Sequence, residues 1–219
     1  MSISVFAWNT CDARYEKKNP SYDEASDDEP AVSVLSFKEG TLSKKKRDEW
    51  IEEINHFLTR VNTLSAQFVQ ITTHKNGSIL DQRTGSLKWL RPAHIHFVYE
   101  GVPPLEVLSD GENIRQKDED GESMSMAIDA TPARLLLKKT VDLKNEAVIL
   151  DVIETPTHVT VILASEDDMN GPSLMLGFRR FPFCLMQWTT VEEKRMTDLI
   201  LHEPELNVTM KKDAFRFKR

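Results

Sequence analysis

No long apolar run occurs in this chain of 219 residues. A bilayer span needs about 20 consecutive apolar residues, so we do not expect the chain to be embedded in a membrane. Positive charge is not in excess either, since 28 Lys and Arg stand against 35 Asp and Glu and give a formal net charge of −7. Nucleic-acid-binding proteins usually carry a basic surface, so nucleic acid is not an expected partner.

Cysteine is scarce, and the two examples are Cys11 and Cys184. Two cysteines are too few for a disulfide scaffold. Cys184 lies in an apolar segment, where a buried core residue is the simpler interpretation, but a bridge between the two stays open. The fold must therefore depend on a hydrophobic core, for which this length and a hydrophobic content of 40% suffice.

The composition divides the chain into an arm, residues 1–42, and one globular domain, residues 43–219. Acidic residues, prolines and small polar residues dominate residues 12–30, and such a composition cannot build a core. We therefore expect a flexible acidic arm. Its first apolar run, Ile3–Trp8, lacks a basic flank and is either the remnant of an export signal or an ordinary unstructured start.

A long amphipathic helix is predicted after Ser43. Apolar residues recur at intervals of three and four, the spacing of one helical face. These residues are Trp50, Ile51, Ile54, Phe57, Leu58, Val61, Leu64 and Phe68. A face this wide must lie on a large apolar surface. The basic run Lys44–Arg47 in front of it is either a solvated face or a docking surface for a membrane-bound partner.

Farther along, the apolar period changes to two, which predicts strands. Leu87 and Trp89 alternate with polar residues, and Ile95, Phe97 and Tyr99 do the same across the next segment. Further strands are predicted at residues 124–128, 147–153, 159–163, 174–178, 183–188 and 199–201. Asn-Gly and Asp-Gly pairs at 76–77 and 120–121 predict hairpin turns. The fold class is mainly β with helices (α+β), a curved antiparallel sheet or incomplete barrel.

A second helix is predicted in the middle of these strands. Thr131 offers a hydroxyl cap and Pro132 suits the first helical position, and Leu135–Leu137 follow. Two apolar helices could cover one concave sheet as a lid. The alternative is that both complete an ordinary packed core.

In their order and spacing, several short segments resemble the LolA family of periplasmic outer-membrane lipoprotein carriers, from about Trp50 to Arg219. None of the segments is specific alone. They are Leu64–Gln70, Gly85–Leu87 with Trp89, Arg91-Pro92, Ser109–Gly111, Thr131-Pro132, Leu135–Leu137, Gln187-Trp188 and Phe215–Phe217. The resemblance implies an open barrel of about eleven strands, covered by a long N-terminal helix and short lid helices.

The resemblance also implies a function. Such a protein is a periplasmic monomer that needs no cofactor and is not an enzyme. It receives acylated lipoproteins from an inner-membrane ABC transporter and passes them to an outer-membrane receptor or to the outer membrane itself. In this family an arginine at the place of Arg91 hydrogen-bonds to the lid helices, so we expect Arg91 to be the lid latch. A guanidinium suits that role because it offers five donors in a fixed fork.

Acyl chains need a cavity lined by adaptable apolar groups. We expect this lining to include methionines, whose flexible thioethers repack around irregular ligands, together with aromatic and aliphatic residues. The expected cavity residues are Trp89, Ile95, Phe97, Leu108, Met124, Met126, Leu135 and Leu136. The alternative is that such a stripe only fills the core. At about 0.8 kcal/mol per buried methylene, acyl chains cannot be released into water, so the cargo must pass directly to a receptor.

Three other functions stay open. A lipid-anchored receptor of the same fold would need a cysteine behind a small-residue lipobox, which Trp8–Cys11 does not provide. A general binder of lipids or hydrophobic ligands would use the same residues without a handover partner. A zinc enzyme could use His94 and His96, which share a strand face, but a structural zinc site wants four ligands and no Cys or carboxylate cluster accompanies them, so no metal is expected.

Overall fold

The computed structural model describes residues 42–128, 134–164, 173–192 and 194–217, without the side chains of residues 123–126. Nearly all of the predicted acidic arm, together with Thr131 and Pro132, therefore lies outside the described residues.

The first described element is a long helix, α1 (Lys44–Arg60). Ser43 caps it, because its hydroxyl oxygen accepts the backbone N–H of Lys46 at 3.3 Å. Its buried face consists of Ile51, Ile54 and Leu58. The predicted helix is thus present, and its apolar face lies on the core.

The helix ends before Leu64 and Phe68, which the apolar spacing had assigned to it. Both belong to the first strand, β1 (Thr63–His74), where they share a face with Ala66. Residues four apart fit a helix face and a strand face equally, because four positions are about one helical turn and two strand repeats. Thr63 and the branched residues from 69 to 73 favour the strand. The prediction of helix through Phe68 was wrong for this reason.

Eleven strands form one sheet in the order β6-β5-β4-β3-β2-β1-β11-β10-β9-β8-β7. The paired strands run antiparallel. The remaining bounds are β2 (Ile79–Leu90), β3 (His94–Tyr99), β4 (Leu105–Asp110), β5 (Asn113–Asp118), β6 (Gly121–Ala127), β7 (Val148–Glu154), β8 (His158–Ala164), β9 (Leu174–Arg180), β10 (Phe183–Val191) and β11 (Arg195–Leu206). Strands β6 and β7 are the two edges, so the sheet is not closed, as the predicted incomplete barrel requires.

One face of the sheet, here called the inner face, carries most of the core and is covered by helices. The segment that joins the two edge strands contains the one-turn helices α2 (Arg134–Leu137) and α3 (Leu143–Glu146). Their leucines belong to the same buried cluster as the apolar face of α1. The backbone N–H of Leu143 donates to the Asn55 side chain of α1 at 2.9 Å. The helices α1, α2 and α3 therefore form one cover.

Gly85 on β2 leaves room for the Phe68 ring of β1 to reach the aromatic rings of β3. It lies opposite Phe68 on β1 and Tyr99 on β3. The Phe68 ring meets the Phe97 and Tyr99 rings edge to face, with centroids 5.5 and 5.2 Å apart. A Cβ on Gly85 would lie 2.8 Å from the Phe68 ring and would press on the Val98 carbonyl oxygen. The missing side chain therefore makes the packing of β1 against β3 possible.

We predict that Gly85→Ala lowers the free energy of unfolding by about 1–3 kcal/mol, the usual cost of overpacking a core. Chemical denaturation of the full chain measures this change. Gly177→Ala in β9 is the matched control, because a Cβ there would meet ordinary contacts at 3.5 Å or more. Equal stability of the two variants would contradict the role given to Gly85.

Candidate functional site

The inner face brings together most of the predicted cavity residues. Trp89 lies opposite Ile95, and Leu87 lies opposite Phe97, so the three predicted residues on β2 and β3 share this face. Trp89, Ile95, Leu135 and Leu136 belong to one buried cluster with α1, and Phe97 packs against it. In this structure the side chains on β2 and β3 pack against those of the cover, which includes Leu135 and Leu136. Access to them requires the cover to move.

Leu108, another predicted cavity residue, does not join this group. Leu108 pairs with His96, whereas its neighbours Val107 and Ser109 pair with Phe97 and Ile95. Because facing residues of paired strands share a face, Leu108 lies on the outer face, fully buried but outside the main cluster. Leu108 is therefore removed from the predicted lining. Met124 and Met126 belong to β6, but their side chains lie outside the described residues.

Arg91 occupies the corner between β2 and β3 and contacts two parts of the cover. Its Nε donates to the Leu136 carbonyl of α2 at 3.0 Å, and its Nη1 donates to the Leu58 carbonyl near the end of α1. Its guanidinium carbon lies 4.8 Å from the centre of the Trp89 ring. One buried side chain thus connects α1, α2 and the sheet.

Hydrogen bonds also fix the backbone on either side of Arg91. Arg91 N–H donates to the Asn62 carbonyl and Ala93 N–H donates to the Leu137 carbonyl, at 2.9 and 2.8 Å. The hydroxyl of Ser109, which is fully buried, donates to the Ala93 carbonyl at 2.6 Å. In the sequence, Ser109 stands out only as part of the Ser109–Gly111 segment of the family resemblance, and nothing there indicates that it lies opposite Ile95 on the inner face.

Burial sets the electrostatics of the corner. Arg91 is 7% exposed, and burial lowers its pKa to about 10, while the negative charge of Glu146 works in the opposite direction. The guanidinium is therefore still a cation at neutral pH. Two buried donors here have no hydrogen-bond partner among the described residues, namely Nη2 of Arg91 and Nε1 of the adjacent Trp89.

The start of α1 is attached to the β7 edge and the neighbouring strands. Arg47 donates to the Ile149 carbonyl at 2.8 Å, and the Trp50 indole N–H donates to the Glu154 carboxylate at 3.0 Å. Arg180 forms an ion pair with Glu154 at 2.9 Å. These contacts join residues more than a hundred positions apart or on separate strands, so sequence patterns gave no signal for them. Within the basic run Lys44–Arg47, Arg47 binds the β7 edge, whereas Lys44 and Lys45 are exposed to solvent.

The two histidines considered as zinc ligands bond to the protein instead. His94 Nδ1 lies 2.6 Å from the Pro92 carbonyl oxygen. His96 Nδ1 lies 3.1 Å from the Ala214 carbonyl oxygen, and its Nε2 lies 2.9 Å from the Glu106 carboxylate. Within the described part of the chain, no group of three or more His, Cys, Asp or Glu residues could hold a metal ion. His96 thus joins the outer face to the C-terminal segment.

The family model and the curated relatives that match this chain are all outer-membrane lipoprotein carrier proteins. The family model described as outer membrane lipoprotein carrier protein LolA matches residues 59–218. An outer-membrane lipoprotein carrier protein from Pseudomonas putida (strain W619) is 24% identical over 197 residues, which cover 84% of this chain and 89% of that protein. Another from Nitrosomonas europaea is 22% identical over 173 residues, covering 76% of this chain and 84% of that protein.

Solved structures are similar at much lower identity. A LolA superfamily protein from Nitrosomonas europaea is 7% identical, with a TM-score of 0.44, and the match covers 78% of this chain and 98% of that one.

In the segments that the structure describes, no helix has the length and apolarity needed to cross a membrane.

Tyr99 gives a pH-dependent readout of the inner face. Its hydroxyl donates to the Gln70 side chain at 2.8 Å. Burial raises its pKa from 10.0 to about 12, Arg83 opposes this shift and Asp81 adds to it. Below pH 10 the phenol is neutral in both the folded and the unfolded chain. Between pH 10 and 12 the unfolded chain loses this proton first, so the contribution of Tyr99 to stability falls as the pH rises.

We therefore predict that, between pH 10 and 12, the free energy of unfolding of the wild-type chain decreases relative to that of Tyr99→Phe. Denaturation at a series of pH values measures it, and ultraviolet titration of the two chains gives the midpoint of Tyr99 by difference. A difference spectrum with its midpoint at the ordinary tyrosine value would contradict the partly buried position of Tyr99.

The contacts of Arg91 also predict how firmly the cover is held. Arg91→Leu loses two charge-assisted hydrogen bonds, each worth about 1.5–3 kcal/mol. The amide of Ala93 and those of residues 134–146 should then exchange hydrogen at least about tenfold faster. Arg83→Leu is the control, because the Arg83 ion pair with Asp81 lies at the surface. Unchanged exchange in Arg91→Leu would show that its bonds do not hold the cover.

Proposed function

Because the chain belongs to the LolA family of outer-membrane lipoprotein carriers, as its motifs predict, we propose that it carries acylated lipoproteins through the periplasm. Family membership already suggests a role in lipoprotein binding. The proposal adds the steps of that role: acyl chains bind on the inner face, the cover opens to admit them, and the cargo passes directly to an acceptor.

The arrangement of the cover is the observation that carries this proposal. The inner face is apolar, and the edge strands β6 and β7 do not pair with each other. The Arg91 cation binds the cover at the corner between β2 and β3. A buried cation has lost its hydration, which lowers the pKa of Arg91 and raises the free energy of the closed form. A cover held in this way can open without loss of the fold. Trp89, Ile95, Phe97, Leu135 and Leu136 would then line the lipid site.

Direct transfer follows from the size of the hydrophobic term. Each buried methylene contributes about 0.8 kcal/mol, so the acyl chains of one lipoprotein represent tens of kcal/mol. No carrier can release such a cargo into water. Reclosure of the cover onto Arg91 would offset part of the free energy of the lost acyl contacts. We therefore propose an inner-membrane ABC transporter as donor and an outer-membrane receptor, or the membrane itself, as acceptor.

We predict that Arg91→Leu still binds a triacylated peptide but passes it on at least about tenfold more slowly. The leucine adds apolar contact to the open form and removes the hydrogen bonds that favour closure, which are worth a factor of ten for each 1.4 kcal/mol. Displacement of a hydrophobic dye measures binding, and appearance of a labelled triacylated peptide on an outer-membrane lipoprotein receptor measures transfer.

Lys88→Leu is the control for this experiment, because Lys88 is an exposed cation of β2 on the outer face, opposite His96, and it should bind and transfer as the wild-type chain does. Failure of the triacylated peptide to displace the dye from the wild-type chain would overturn lipid binding altogether. Binding without transfer by the wild-type chain would leave a general lipid binder, and normal transfer by Arg91→Leu would remove Arg91 from the mechanism.

A further inference from the structure

Two adjacent side chains at the corner keep buried N–H groups without an acceptor in the described part of the chain. Trp89 is 1% exposed and Arg91 is 7% exposed. The orphaned atoms are Nε1 of Trp89 and Nη2 of Arg91. The guanidinium carbon lies 4.8 Å from the indole ring centre, so both atoms belong to one small group. Both can only donate hydrogen bonds.

Such a pair is costly in a folded chain. Leaving one buried donor unpaired costs about 1–3 kcal/mol, so nearly all buried polar groups in proteins find partners. A phenylalanine at position 89 would fill a similar volume without an N–H. The orphaned donors are therefore better suited to a ligand that brings acceptors than to the closed form alone.

The position of the pair narrows the chemistry of that ligand. Trp89 lies on the inner face between Leu64 and Ile95, and Arg91 contacts the carbonyls of α1 and α2 that must separate when the cover opens. The pair thus lies where the apolar lining meets the moving part of the cover. A ligand bound along the lining would present its polar end here.

We propose that Trp89 Nε1 and Arg91 Nη2 donate hydrogen bonds to the carbonyl oxygens of the acyl linkages of the cargo. The inference rests on the proposed function and adds which chemical group the site recognises. Hydrocarbon chains offer no acceptor, but each ester or amide linkage carries a carbonyl that enters the site with its chain. Burying that carbonyl without a donor would cost free energy, and these two donors remove the cost.

The test compares two lipopeptides of equal chain length, one with ester-linked and one with ether-linked glyceryl chains. The ether keeps the hydrocarbon and removes the carbonyl. Trp89→Phe removes the N–H and keeps an aromatic ring. Because a neutral hydrogen bond contributes about 1 kcal/mol, we expect Trp89→Phe to weaken binding of the ester about fivefold and to leave binding of the ether unchanged.

Trp188→Phe is the matched control, because Trp188 is also a buried tryptophan of the inner-face cluster but its indole N–H is not among the orphaned buried atoms of the described residues. It should change the affinity for both lipopeptides by the same factor. Dye displacement on the folded full-length chains measures all six affinities, and circular dichroism checks the fold of each variant.

The outcomes separate the two proposals. If neither lipopeptide displaces the dye from the wild-type chain, the proposed function fails and this inference fails with it. If both bind and Trp89→Phe changes them equally, or changes neither, the carbonyl site is overturned while lipid binding stands. A loss confined to the ester in Trp89→Phe and absent in Trp188→Phe supports the carbonyl site.

Discussion

The fold depends on one constraint: an open sheet with an apolar face must have that face covered. Strands β6 and β7 do not pair with each other, so the sheet cannot cover its inner face by closing on itself. Helix α1 covers it from one side, and the segment that joins the two edges covers it with α2 and α3. The cover is therefore required for a stable closed form.

Two opposing effects at Arg91 set the stability of the closed form. Its hydrogen bonds to Leu58 and Leu136 favour the closed form, whereas loss of hydration disfavours it and lowers the pKa of the guanidinium. The Ser109 hydroxyl and the Arg91 N–H hold the corner itself by donating to the Ala93 and Asn62 carbonyls, so in the proposed opening the change is concentrated in the cover. In that proposal, the stability of the sheet and the opening of its cover depend on different contacts.

Sequence patterns predicted the sheet and the place of Arg91 better than they predicted where elements end and on which face of the sheet a residue lies. Alternation placed Trp89, Ile95 and Phe97 on one face, because neighbouring strands in register preserve the period of two. It failed for Leu64, where a spacing of four fits helix and strand alike. It also failed for Leu108, because an alternating segment does not say which of its two faces meets the helices. The state of Leu64 depends on pairing with the distant strand β11, and the face of Leu108 depends on which side of the sheet the helices cover; no local pattern contains either.

The acceptors that Arg91 uses are main-chain oxygens. Every residue type has a carbonyl, so substitutions at positions 58 and 136 can reshape the apolar lining while the hydrogen bonds of Arg91 stay the same. In the proposed mechanism, cargo fit and opening energy can therefore change independently in evolution. Two carriers of this design could accommodate different acyl chains with an identical corner.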